Sequence, residues 1–447
     1  MNNFSKIGFI LATLGSSIGL GHIWRFPYMA GTNGGGAFIV FYLFLAIVIG
    51  VSMLIAEMLI GNKAKSNPVE SFAKLEPNHK STWKFIGIMA IGGPMVMTFY
   101  AVVLGWVLYY LFVGSFNLPQ NLQEAQTTFE TLATGSIPTQ IAGLLACMFL
   151  TAYIVAKGAK DGIEKLNLIL MPLLFIIFIG LFFYAMSFDS FGKAVDFMFK
   201  FDIEKITPQV AVDVLGQVFF ALSLGLGTIL IYGAYANDNE NLFSSSVWVV
   251  ISGIFVSLVA GLIIFTLIFA FEGEPAAGPK LMFISLPLAF SQLENSVGFF
   301  ANIIAFLFML CVAFAGITST VSIVEPAIAY LRDRFDWTQA KATWICCGII
   351  TIFGVMVILS ITKDYSVLFS FGGTSLFDWM DLATSKVLMP FGGFFCLIFS
   401  AYVIGKERLR KYTESFFSPA MFELWYAIIA YIAPLVIAII ALAPILF

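Results

Sequence analysis

Two apolar segments of this chain are interrupted by nearly the same glycine-rich string. The first break reads Ser16-Ser17-Ile18-Gly19-Leu20-Gly21, and the second reads Ser223-Leu224-Gly225-Leu226-Gly227. Unwound backbone in a bilayer leaves N–H and C=O groups unpaired at considerable cost, unless it lines a cavity inside the protein. Matching breaks in two halves of a membrane chain are typical of a transporter's binding site. For either break alone, glycine used for close helix packing is the alternative explanation.

The composition places most of the chain in a bilayer. Of 447 residues, 60% are hydrophobic and 11% are charged, with a mean hydropathy of +0.96. A soluble domain would carry about 25% charged residues. We therefore predict an all-α polytopic membrane protein with a single transporter domain.

Eleven apolar segments are long enough to cross the hydrocarbon core, which takes about 20 helical residues. The predicted spans, numbered 1 to 11, are residues 7–31, 36–62, 84–114, 138–157, 163–187, 208–235, 242–271, 298–334, 340–361, 376–404 and 421–446. Span 1 has no small-residue cleavage site after it, so we expect a retained helix and not a signal peptide. The segment 275–295 is interrupted by prolines and predicts a re-entrant or capping element.

Lysine and arginine predict the orientation of the chain in the membrane. The loops on the N-terminal side hold sixteen of these residues, and the opposite loops hold five. Because positive charge accumulates in cytoplasmic loops, we expect a plasma (inner) membrane protein with a cytoplasmic N-terminus and an extracytoplasmic C-terminus.

Enzymatic chemistry finds little support in this sequence. Its only histidines are His22 and His79, and its five cysteines all lie in apolar runs without metal-type spacing. No Walker loop, dinucleotide fingerprint or nucleophile elbow is convincing. We predict a protein that is not an enzyme and that binds no nucleic acid.

The ends of broken helices offer complementary charge. The N-terminal end of a half-helix favours a carboxylate, whereas C-terminal carbonyl oxygens favour a small hard cation. Hydroxyls could complete the oxygen shell of that cation, although membrane serines and threonines also bond their own backbone. The candidate hydroxyls are Ser16, Ser17, Ser223, Thr318 and Ser319.

Few ionisable residues lie within the spans, where they are costly and therefore candidates for function. They are His22, Arg25, Glu57, Glu325, Asp381 and Lys386. Arg25 ends span 1 and Asp381 begins span 10 on the same predicted outer side. An ion pair between them could close an outer gate, with Asp378 as an alternative partner and interfacial water as the alternative to a pair.

Several strings, in order along the chain, resemble the neurotransmitter:sodium symporter family. They are Gly19-Leu20-Gly21, Trp24-Arg25-Phe26-Pro27, Asn33-Gly34-Gly35-Gly36-Ala37-Phe38, Gly216-Gln217-Val218-Phe219-Phe220, Ser223-Leu224-Gly225, Leu286-Pro287, Phe290-Ser291-Gln292 and Ala315-Gly316-Ile317-Thr318-Ser319. The resemblance implies a five-plus-five inverted repeat with broken helices 1 and 6. Its halves would be residues 7–187 and 208–404, with 421–446 outside the repeat.

The resemblance also implies a substrate pocket at mid-membrane. Its residues would be Ser17, Gly21, Val96, Tyr100, Phe220, Ala221, Ser223, Leu226, Ser319 and Ile323. The Tyr100 hydroxyl would bind a carboxylate, and Phe220 would cover the pocket. Amine-transporting members carry an aspartate where this chain has Gly19, so we expect an amino acid with a neutral, hydrophobic side chain.

Two sodium sites occur in the family, and this chain matches one of them. The second site maps to Gly15, Ile18, Ala315, Thr318 and Ser319, which would supply three carbonyl and two hydroxyl oxygens. The first site maps to the degenerate set Ser17, His22, Ala221 and Ser252. We therefore expect one Na⁺. The family's chloride-related position falls near Val256, so we expect no chloride dependence.

His22 replaces an asparagine of the family's first sodium site. A protonated imidazole would supply the missing positive charge near the substrate carboxylate, which predicts pH-dependent transport altered by His22→Asn. A neutral imidazole bonded to a carbonyl is the alternative.

The gates are predicted on both sides of the pocket. Arg25, Asp381, Gln217 and Phe220 would form the outer gate, and Asp333 would belong to the inner gate. The family's arginine and tryptophan before helix 1 would fall at or before Met1 and Asn3, so we expect a weakened inner latch or one built on Lys6. Further family counterparts are Glu57 as a brace of the second break and Gly162 with Pro172 as a site of unwinding in span 5. Glu325 stands where relatives have glutamine.

These features together predict sodium-driven import of a neutral amino acid by alternating access. A proton-coupled permease using His22 or Glu325 is one alternative, and an amino acid sensor that does not transport is another. Oligomeric state is left open.

Overall fold

The computed structural model describes residues 4–77, 81–271 and 278–446, with the backbone alone for 442–446. Met1, Asn3, His79 and the first three residues of segment 275–295 lie outside these ranges. Nearly all of the described chain is helical.

Nine helices of the described chain are long and apolar enough to cross a membrane, and one further bent pair passes the same test. The pair, Lys6–Ser17 and Gly21–Thr32, is bent by 45° at the first glycine-rich string. The nine helices are Gly36–Ala64, Thr82–Gly114, Ile137–Val155, Ala159–Ala185, Leu242–Ala270, Phe300–Phe335, Gln339–Ile361, Leu376–Ile404 and Pro419–Ala441. Each lies within a few residues of a predicted span, except that span 11 ends earlier by this criterion, although its helix continues to Leu446.

Predicted span 6 consists of two short helices, Pro208–Ala221 and Thr228–Tyr235. The connection between them takes left-handed backbone at Ser223 (φ 53°), Gly225 (φ 73°) and Gly227 (φ 78°), a conformation that ends a right-handed helix. A Cβ atom on Gly225 would overlap the carbonyl oxygen of Met389, so a larger residue does not fit there. The two breaks therefore fall in the first helix of each predicted half, and the repeat itself stays a prediction.

Shorter elements join and cover the spans. The helices are Pro68–Leu75, Leu122–Glu130, Phe191–Phe199, Ile203–Lys205, Leu281–Ser285, Leu286–Val297 and Lys406–Thr413, and the strands Ser370–Phe371 and Thr374–Ser375 pair antiparallel. Within segment 275–295 the Leu281–Ser285 turn is buried, and its Phe283 carbonyl accepts a 2.8 Å hydrogen bond from the Tyr110 hydroxyl. Its described part therefore packs against the spans as a capping element.

Large apolar side chains are exposed on the outside of the bundle. Phe112, Ile176 and Ile352 are exposed by 65% or more. An exposed apolar surface of this kind would promote aggregation in water, whereas lipid tails solvate it. The polar residues of the two breaks, by contrast, are buried at the centre of the bundle.

Candidate transport site

The two helix breaks are hydrogen-bonded to each other. The Ser17 hydroxyl donates to the Ala221 carbonyl at 3.2 Å, and the Ser223 hydroxyl donates to the Ser16 carbonyl at 2.9 Å. Each break thus provides a hydroxyl for a carbonyl that the other leaves free. The reciprocal pair holds the unwound segments of spans 1 and 6 in one arrangement.

Glu57 of span 2 braces the second break from the other side. Its buried carboxyl accepts a 2.8 Å hydrogen bond from the Gly225 N–H. This contact agrees with the role that the family resemblance implies.

A small, largely closed cavity lies between the breaks. Its volume is about 10 Å³, room for about one water molecule, so a larger ligand would require its walls to move apart. The lining residues are Ser16, Ser17, Gly19, Gly21, Val96, Tyr100, Phe220, Ser223, Leu226, Ser319, Ile323 and Met389. Nine of the ten predicted pocket residues are among them, and Ala221 instead lies behind the wall, where its carbonyl bonds Ser17.

One end of the cavity is polar and the rest is apolar. The Leu20 N–H donates to the Tyr100 hydroxyl oxygen at 3.1 Å, which leaves the Tyr100 proton available to an acceptor. Val96, Leu226 and Ile323 form the apolar wall, and the described lining contains no Asp, Glu, Lys, Arg or His. A molecule with a carboxylate and a hydrophobic side chain would match this distribution.

Gly19 sits at the narrowest point of the polar end. A Cβ atom there would overlap the Ser319 hydroxyl and would lie 2.9 Å from the Tyr100 hydroxyl. No side chain, acidic or otherwise, fits at this position without displacing its neighbours.

Arg25 closes the cavity on the predicted outer side. Its guanidinium lies 4.5 Å from the centre of the Phe220 ring and pairs with the Asp381 carboxylate at 3.4 Å. The Gln217 amide, next to them, donates to the Gly21 carbonyl at 2.7 Å. The alternative partner Asp378 is used elsewhere, since it contacts the Ser375 hydroxyl that caps the same helix. Asp381 is therefore the partner of Arg25.

The five residues predicted for the second sodium site come from spans 1 and 8, and the two spans touch at Gly15, Thr318 and Ser319. The Ser319 hydroxyl donates to the Gly15 carbonyl at 3.2 Å, and the Thr318 hydroxyl donates to the Ala315 carbonyl at 3.1 Å. All five residues, Ile18 included, are buried. The donor set consists of neutral oxygens only, which fits Na⁺ at a broken helix.

His22 fills the region predicted for the first sodium site. Its fully buried imidazole packs against Gly253 of span 7, where a Cβ atom would overlap the ring Nε2. Neither ring nitrogen has a close hydrogen-bond partner in the described chain, and the backbone of Ser17 is the polar group facing the ring.

Gly253, the residue after the predicted Ser252, is the residue of span 7 that contacts His22. Ser252 is half-exposed on the outside of span 7, because each helical residue turns the side chain by about 100°. Gly253 takes its place. A shift of one residue also moves the position aligned with the family's chloride-related residue from Val256 to Ser257. The Ser257 hydroxyl interacts with that of Tyr42.

The inner side of the bundle is closed by aromatic packing. The Phe4 ring stands edge-on against Tyr232 and Tyr235, with both centroid distances at 5.5 Å. The Phe4 N–H also donates to the Tyr235 carbonyl at 3.0 Å. Lys6, the expected alternative for this latch, is exposed at the start of the first helix.

Two carboxylates accompany this inner packing. Asp333 accepts a 2.8 Å hydrogen bond from the Asn67 amide and pairs with Arg332 at 3.0 Å. Glu325 is fully buried and accepts hydrogen bonds from the Tyr235 hydroxyl at 2.5 Å and the Gln339 amide at 3.1 Å. Glu325 thus ties span 6 to spans 8 and 9.

Met389 is the cavity residue that sequence reasoning missed. It belongs to none of the strings that carry the family resemblance, and it reaches the cavity because its backbone packs on Gly225.

Comparison with known proteins covers almost the whole chain. The model of the Sodium:neurotransmitter symporter family matches residues 2–133 and 120–446. An uncharacterized sodium-dependent transporter of Bacillus subtilis (strain 168), YhdH, is 34% identical over 98% of this chain and 96% of its own length. An uncharacterized sodium-dependent transporter of Haemophilus influenzae is 32% identical over the same shares.

A solved structure agrees with these matches. The crystal structure of MhsT in complex with L-phenylalanine superposes with a TM-score of 0.90 at 32% identity, covering 99% of each chain. The Bacillus subtilis and Haemophilus influenzae relatives are both named sodium-dependent transporters, and none of the proteins compared is named as an enzyme. The chain belongs to the sodium:neurotransmitter symporter family.

Proposed function

We propose that this protein imports a neutral, hydrophobic amino acid together with one Na⁺ by alternating access. The observation that carries the proposal is the closed cavity between the two helix breaks, with its polar end at Tyr100 and its apolar wall. The relative MhsT was crystallised with L-phenylalanine, a ligand of the same chemical class.

The polar end supports binding of the substrate carboxylate. The helical segment that begins at Gly21 presents the positive end of its dipole toward the cavity, and Tyr100 offers a hydroxyl proton. Since the described cavity lining has no charged side chain, a ligand with a net charge would have no partner there, and balanced charges are favoured. An amino acid zwitterion carries balanced charges, whereas an amine does not.

Sodium binding is proposed at the second site. A cation there would hold Gly15 and Ile18 of span 1 to Thr318 and Ser319 of span 8, and so would favour the arrangement in which the substrate binds. One charge crossing the membrane would gain about 2.3 kcal/mol per 100 mV of potential. We propose a plasma membrane location with the N-terminus in the cytoplasm.

Closure would follow substrate binding on the outer side. Phe220 would cover the ligand, and Arg25 with Asp381 would lie over Phe220. Release to the cytoplasm would require the separation of Phe4 from Tyr235 and of Tyr235 from Glu325, which are the contacts that close the inner side.

No chloride requirement is proposed. An anion near Tyr42 and Ser257 would be buried, and burying an unpaired charge is strongly unfavourable. With the imidazole of His22 in the region of the first sodium site, a cation to balance such an anion is missing.

Uptake into proteoliposomes tests the whole proposal. Labelled amino acids are offered under an inward gradient of sodium, potassium or choline, with gluconate replacing chloride in a parallel series. We expect sodium-dependent accumulation of hydrophobic neutral amino acids, a Hill coefficient for sodium of about one, and no effect of gluconate. Accumulation driven by a proton gradient without sodium would favour the permease, and binding without accumulation would favour the sensor.

A further inference from the structure

Asn167 of span 5 has a buried side-chain oxygen with no partner. The residue is completely buried, and its amide nitrogen donates to the Ile163 carbonyl at 2.8 Å. This bond sets the orientation of the amide, so that Oδ1 points away from its own helix. Within the described chain Oδ1 has no hydrogen-bond donor. An unsatisfied buried acceptor of this kind costs about 1–3 kcal/mol.

The unpaired oxygen points at the second sodium site. A Cβ atom on Gly15 would overlap Oδ1 of Asn167, and the same position lies 3.1 Å from the Cβ of Thr318. Oδ1 therefore lies between spans 1 and 8, beside two of the five residues proposed to bind sodium. The bare Cα of Gly15 is what allows the amide to come so close.

We propose that Oδ1 of Asn167 is a further ligand of the bound sodium, contributed by span 5. The proposal rests on the proposed function, because it needs sodium at the second site. Amide oxygens are common ligands of hard cations. A cation there would satisfy this buried acceptor, which has no donor among the described residues.

This ligand would make span 5 sensitive to the ion. Ile163, the anchor of the Asn167 amide, belongs to the π-helical turn Ala159–Glu164, in which Gly162 packs directly on the Ile154 carbonyl of span 4. Unwinding of this turn would remove the anchor and allow Oδ1 to rotate away from the site. Loss of sodium and opening of span 5 would then promote each other.

Thermal unfolding of the purified full-length protein tests the proposal without transport. The melting temperature is measured without amino acid while sodium chloride replaces choline chloride at constant ionic strength. We expect Asn167→Ala to raise the half-saturating sodium concentration about tenfold. Asn167→Asp keeps an oxygen in place, and we expect it to retain sodium binding at least as tight as that of the unchanged protein.

Asn302→Ala provides the matched control. Asn302 is also buried, donates to a backbone carbonyl (Ser115, 3.0 Å) and has an unpaired Oδ1, but it lies in the first turn of span 8, far along the helix from Thr318. We expect its sodium curve to match the unchanged protein even if its melting temperature falls.

Three outcomes would overturn the assignment. An unchanged sodium curve in Asn167→Ala would show that Oδ1 is only packed against Gly15. If the alanine variant does not fold, weakened sodium binding in Asn167→Asp would contradict the proposal equally. Absence of any sodium effect on the unchanged protein would instead refute the proposed function, and the ligand assignment with it.

Discussion

Two regions beside the first helix break, only a few residues apart, differ in chemistry. At Gly15 and Ile18 the break faces Thr318 and Ser319 of span 8, and the groups that could bind a cation there are all oxygen atoms. At His22, one turn further on, it faces Gly253, and the space is occupied by an imidazole. The backbone of the break is continuous between them.

On the proposed sodium sites, this difference would decide how many ions bind. Unwinding span 1 exposes carbonyl oxygens on both sides of the break, whichever ions the protein binds. The side chains around the break would then decide whether a cation shell is completed. Under this proposal the first site is lost through side chains such as His22 of span 1 and Ala221 of span 6, while the breaks and the pocket stay as they are.

The largest expected effect comes from removing a hydroxyl of the oxygen-lined region. Thr318→Val should raise the half-saturating sodium concentration at least about tenfold, measured by sodium-dependent thermal stabilisation and by uptake. Thr351→Val is the control, since this hydroxyl also bonds the carbonyl four residues earlier (Cys347, 2.7 Å) but lies in span 9. Equal sodium curves for the two variants would contradict the comparison.

A larger residue in place of Gly253, beside His22, should have an effect of intermediate size on the stability of the protein. Gly253→Ala forces a methyl group into the His22 ring and should destabilise the protein by about 1–3 kcal/mol. His22→Ala should relieve this clash, so that the double variant melts higher than the sum of the single effects predicts. Gly348→Ala, which has no atom near its new methyl group, should be neutral. Additive effects of the first two substitutions would mean that His22 and Gly253 do not pack together.

The smallest effect is expected from replacing His22, measured as a change in the pH dependence of uptake. No charged side chain of the described chain acts on the buried His22 ring, and a buried unpaired charge is strongly unfavourable. We therefore expect the imidazole to be neutral, and His22→Asn to leave the uptake profile between about pH 5 and 8 unchanged. A profile that flattens in this variant would instead support the protonated form, with the substrate carboxylate as its partner.

Local patterns in the sequence predicted the spans and both breaks. Apolar runs define membrane helices because the bilayer thickness sets their length. The glycine-rich strings identified both breaks, whereas the nine pocket residues that line the cavity followed from the family resemblance. Arg25 was predicted to pair with Asp381. Asp378 was left as the alternative partner, because residues three apart lie on the same side of a helix.

Features that depend on helix packing could not be predicted in this way. Span 7 contains few polar residues that would indicate which of its faces points inward. That Gly253, and not Ser252, faces the first break becomes clear only from its contact with His22. Met389 and Asn167 reach the centre because spans 10 and 5 pack closely on glycines of spans 6 and 1. The contacts of Phe4 with Tyr232 and Tyr235, in place of the expected Lys6, also depend on how the helices pack.

The tight fit around Gly19 bears on how this pocket could diverge. A new side chain at residue 19 would displace the Ser319 hydroxyl, which the pocket shares with the oxygens of the second sodium site. A mutation there toward a different class of substrate would therefore disturb ion binding at the same time. Under the proposed sodium site, a single substitution at Gly19 would thus alter substrate binding and ion binding together, because the Ser319 hydroxyl would have to move to admit it.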